Sequence, residues 1–116
     1  MSLQKYVAER LKITSNAKSL ERPKPTSRDE LKSIIEDELK RQGPDADLNF
    51  IDVSEITDMS RLFEYYQIEN IKIDEWDVSN VEDMECMFSN CYKFNCDLSS
   101  WDVSNVTDIS QMFYMC

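Results

Sequence analysis

A chain of 116 residues, 41% hydrophobic and 31% charged with one Gly and three Pro, has room for one compact domain. It does not fit collagen-like, low-complexity or loop-rich disulfide-scaffold classes. Its formal charge of −10 is split, +3 over residues 1–42 (ten Lys/Arg, seven Asp/Glu) and −13 over residues 43–116 (three and sixteen), so the acidic body argues against nucleic-acid binding through it.

Residues 1–26 read as an N-terminal arm and linker. Leu3, Tyr6, Val7 and Leu11 can form one face of a short helix, and the stretch from Thr14 to Thr26 carries Pro23 and Pro25. The opening Met1-Ser2-Leu3-Gln4-Lys5 lacks a secretory pattern, and no apolar run reaches the length of a membrane span. The chain as given is therefore expected in the cytoplasm. A trimmed export signal would instead place it on the cell surface or outside the cell.

Residues 27–43 predict an amphipathic capping helix. Ser27-Arg28-Asp29-Glu30 reads as a capping box, Ser27 taking the Glu30 amide and Glu30 returning the bond. Leu31, Ile34, Ile35 and Leu39 recur at helical spacing on one face. Asp29 and Glu30 at the start and Lys40 and Arg41 at the end suit the helix dipole, and Gly43-Pro44 stops the helix. Its expected task is to cover the apolar end of the repeats C-terminal to it.

Residues 44–116 hold three repeats, the last incomplete. Ile51-Asp52-Val53-Ser54 through Phe63, Trp76-Asp77-Val78-Ser79-Asn80 through Phe88, and Trp101-Asp102-Val103-Ser104-Asn105 through Phe113 each begin 25 residues after the last. A fixed period in the twenties predicts coils that stack like on like. Within each period the pattern suggests three parts. Short parallel strands at 71–73 and 96–98 would stack about 4.8 Å apart. A turn at Trp-Asp-Val-Ser-Asn comes next. Asp58, Asp83 and Asp108 then stand as N-caps of a short helical turn, whose Met or Ile, Leu or Met, and Phe fall at i, i+3 and i+4. The fold class expected is an α/β repeat solenoid, leucine-rich-repeat-like, behind a helical cap.

The words Trp101-Asp102-Val103-Ser104-Asn105-Val106-Thr107-Asp108, then Met112-Phe113-Tyr114 and Cys116, resemble the BspA-type leucine-rich repeats of bacterial surface proteins and mycoplasmal lipoproteins. The segment Phe94-Asn95-Cys96-Asp97-Leu98-Ser99-Ser100 looks like that family's strand, and the resemblance covers roughly residues 27–116. It implies a leucine-rich-repeat-like solenoid with a role in protein recognition or adhesion, and it transfers no catalytic residue. The chain departs from the pattern at Cys96, where the family often has Gly, and over residues 65–70.

His is absent, which removes imidazole catalysis and His metal ligation, and there is no Gly-rich phosphate loop. No catalytic residue, cofactor site or metal site is assigned. The structural ladder expected is Val53, Val78 and Val103; Trp76 and Trp101; Asp58, Asp83 and Asp108; and Phe63, Phe88 and Phe113. Asp52, Asp77 and Asp102 should stack as a second acidic column. Turn amides are the expected partners of both acidic columns. The sharper alternatives are Ca²⁺ between coils, which needs six to eight oxygens, and carboxylate glycosidase chemistry. The two Trp read as a core ladder, with an exposed ligand platform as the alternative. Cys86, Cys91, Cys96 and Cys116 lack zinc-site spacing; buried free thiols are expected, a Cys91–Cys116 disulfide being the alternative.

Function is expected to be a non-enzymatic protein–protein interaction module, with a basic protein as partner on charge grounds. The rivals are a self-assembling element, dimerising through the open coil at 94–116, and a Ca-binding or carboxylate-dependent enzyme.

Overall fold

The computed structural model describes residues 22–116, so the arm and linker reading falls outside the described residues except for residues 22–26. Helix α1 spans Arg28–Gln42. The Ser27 side chain accepts the Glu30 amide at 3.2 Å. Glu30 reaches one residue further back than a standard capping box, taking the Thr26 amide at 3.2 Å and the Thr26 hydroxyl at 3.0 Å. At the other end Gly43 turns at φ +85° and returns its amide to the Leu39 carbonyl at 2.8 Å, a left-handed exit that a Cβ would strain. Leu31 and Ile35 are buried, and Ile34 and Leu39 pack partly against the same core.

The chain is not an α/β repeat solenoid of the leucine-rich-repeat kind. Among the described residues α1 is the single helix and there is no sheet. Strand pairing is confined to isolated parallel bridges, Asp47 with Lys72, Asp58 with Asp83, and Asp83 with Asp108. The strand expected at 71–73 is reduced to Lys72, which accepts the Leu48 amide and donates to Ala46, both at 2.9 Å. The one expected at 96–98 forms no bridge among the described residues. The physical reason is local. Trp76 and Trp101 close turns onto Ile73 and Leu98, and Asp97 takes the Ser99 amide at 2.9 Å. Turns that begin this early leave no run long enough for two successive ladder bonds.

The expected helical turns are also absent. From Met59 onward the backbone makes overlapping turns, the amides of Leu62, Glu64 and Tyr66 closing onto the carbonyls of Met59, Arg61 and Phe63. Arg61 and Tyr65 sit at φ 56° and 67°, Cys86 and Asn90 at 54° and 63°, and Gln111 and Met115 at 54° and 60°. Right-handed helix cannot hold a positive φ, and each side-chain-bearing residue there costs roughly 1–2 kcal/mol.

Inter-repeat bonds offset that cost. Met59, Arg61, Phe63 and Tyr65 donate to the carbonyls of Asp83, Glu85, Met87 and Ser89 at 2.8–3.0 Å. One period on, Met84, Cys86, Phe88 and Asn90 donate to Asp108, Ser110, Met112 and Tyr114 at 2.7–2.9 Å. Each such bond contributes about 0.5–1.5 kcal/mol net. A helix would have spent the same amides within its own turn. The chain thus builds three tiers, 44–68, 69–93 and 94–116, held in register by turns rather than by strands.

Candidate interaction surface

The residues repeated 25 apart do meet. Phe63 and Phe88 stack with ring centroids 5.4 Å apart, and Phe88 and Phe113 at 5.6 Å, within 5° of parallel. Trp76 and Trp101 stack at 6.4 Å and 7°. Both indoles are buried, so they do not form an exposed platform. Val53, Val78 and Val103 occupy the same turn in each tier, their carbonyls accepting the amides of Ile56, Val81 and Val106.

The repeated Trp, Asn and Cys side chains tie one tier to the one before it. The indole Nε1 of Trp76 donates to the Leu48 carbonyl at 2.8 Å, and that of Trp101 to Ile73 at 2.9 Å. Asn80 and Asn105 donate from Nδ2 to the carbonyls of Ser54 and Ser79, at 2.8 and 2.6 Å. The thiols of Cys91 and Cys116 lie 2.9 and 2.8 Å from the carbonyls of Phe63 and Phe88. Sequence reasoning missed these Asn and Cys clamps, although their recurrence at one period is visible in the chain. All four cysteines are free; Cys86 and Cys91 are buried, and Cys116 is exposed at the last tier. Burial, and then the neighbouring Cys116, push the Cys91 thiol up to about 12, so it stays protonated and can donate.

The acidic columns are answered by backbone. Asp52, Asp77 and Asp102 accept the amides of Ser54, Ser79 and Ser104 at 3.0–3.1 Å. Asp58, Asp83 and Asp108 accept those of Ser60, Glu85 and Ser110 at 2.8–2.9 Å. The serine hydroxyls, and then the serine amides, hold Asp52, Asp77, Asp102 and Asp108 below the usual carboxylate range. Carboxylate oxygens of Asp83, Glu85 and Asp108 come within 4.8 Å of one another, and Arg61 stands 3.6 Å from Glu85.

A groove of about 410 Å³ runs between α1 and the first tier, lined by Glu36, Leu39, Gly43, Pro44, Tyr66 and Ile68. Within it the Tyr66 hydroxyl donates to Glu36 at 2.6 Å, and Lys32 lies 4.7 Å over the Tyr66 ring. Burial, and then the Glu36 carboxylate, push the Tyr66 phenol well above its ordinary value. A tyrosine held that firmly neutral serves as a strut between helix and tier.

The two ends of the stack are unlike. At the first tier Arg22 donates to the carbonyls of Asn49, Phe50 and Ile51 at 2.7–3.2 Å, and Arg28 donates to the Ser60 carbonyl. At the third tier the amides of Ile109, Gln111, Phe113 and Met115 have no acceptor among the described residues. They are the one-period equivalents of Met84, Cys86, Phe88 and Asn90. Beside them Val103, Ile109 and Phe113 are 46, 64 and 50% exposed, against 1, 0 and 0% for Val78, Met84 and Phe88. Tyr114 and Met115 extend the exposed patch. No helix among the described residues is long and apolar enough to cross a membrane.

A family model described as a Mycoplasma protein of unknown function, DUF285, matches residues 31–116. No curated protein and no solved structure matches the chain. The matched span takes in most of α1 and all three tiers, and the chain belongs to that family.

Proposed function

We propose that this member of a Mycoplasma family of unknown function is a non-catalytic protein-binding module that engages its partner through the third tier. The observation that carries the reading is the exposed patch of Val103, Ile109, Phe113, Tyr114 and Met115 beside four amides that have no acceptor among the described residues. Edges with unpaired backbone donors and apolar side chains are the surfaces to which chains add. The resemblance to BspA-type repeats points the same way. So does the way the repeated Asp, Asn, Trp and Cys side chains are all engaged by backbone, which leaves them in structural work rather than chemistry.

A photo-crosslinking residue placed at Tyr114 tests this in cells of the host organism, with Tyr92, which is somewhat more exposed, as control. The binding reading expects one discrete adduct with another protein from position 114 and none from position 92, and F113D removes it. No adduct from position 114 would overturn it. An adduct with a second copy alone, with light scattering showing a dimer, would replace it by the self-assembly reading.

A further inference from the structure

We draw no further inference here: the strongest candidate, the apolar groove between α1 and the first tier lined by Leu39, Pro44, Tyr66 and Ile68, carries nothing because nothing in the structure shows what covers it.

Discussion

At the head of the stack, α1 buries Leu31 and Ile35 and two arginines take up first-tier carbonyls. At the tail, four amides have no acceptor among the described residues and the side chains of Val103, Ile109 and Phe113 are exposed. The tiers are built from the same words, so the difference isolates what a neighbour supplies. A repeat word does not bury its own Phe or satisfy its own amides. It does so only when another tier, or a cap, lies against it.

The sharpest way to break the comparison is to make the same substitution in both settings. Phe88 stacks on Phe63, Phe94 and Phe113 and is fully buried, so F88A should destabilise by about 3–5 kcal/mol in urea denaturation. Phe113 has Phe88 and Phe94 on one side and solvent on the other, and F113A should cost about 1 kcal/mol. Equal losses would mean that the third tier is as enclosed as the second. Next in size is the cap itself: L31A should cost about 2–5 kcal/mol, while I109A, at a side chain already in water, should stay within about 0.5 kcal/mol.

These contrasts also show how far the residues can be read without coordinates. The helix is legible because its signals agree: Ser27 at the start, Leu31 and Ile35 on one face, Gly43 at the end. The period is legible because Asp, Val, Ser, Asp and Phe return every 25 residues. The local conformation is not. Met59, Leu62 and Phe63 at i, i+3 and i+4 suit a helical turn, but overlapping turns bury the same three side chains. The distinguishing feature, a positive φ, falls at Arg61, Cys86 and Gln111, where no Gly signals it. Likewise the alternation of Ile71, Lys72 and Ile73 gives a buried, exposed, buried triplet with one bridge and no strand. The open donor edge is hidden because it depends on which amides find a neighbour, which only the stacking reveals.

A smaller effect tests whether the arginines close the head. Arg28 is partly buried and donates to the Ser60 carbonyl. R28M keeps much of the apolar stem but loses that donor, and should lower stability by about 1–2 kcal/mol. It should also speed amide exchange in the first tier more than in the third. A uniform increase across all tiers would mean that Arg28 acts on the fold as a whole rather than on one end.

The smallest effect concerns the two ends of one acidic column. The Ser54 hydroxyl and then its amide hold Asp52 low, with Lys24 and Arg22 adding to the effect. The Ser104 hydroxyl and amide do the same for Asp102, with no cation contributing. Removing the hydroxyls by S54A and S104A should raise both carboxyls, and Asp52 should still settle below Asp102 because it keeps its cations. Carboxyl NMR titration reads each midpoint. The sign for stability comes from linkage, since a carboxyl whose folded value lies below its unfolded one stabilises the fold at higher pH. That contribution is present above about pH 4 and is lost as pH falls through the folded value. Both variants should therefore flatten the acid loss of stability, with more of it remaining at Asp52 in S54A than at Asp102 in S104A. If Asp52 and Asp102 settle at the same midpoint in the two variants, Arg22 and Lys24 contribute nothing to the head that the tail lacks, and the asymmetry of the ends reduces to hydrogen bonding and apolar cover.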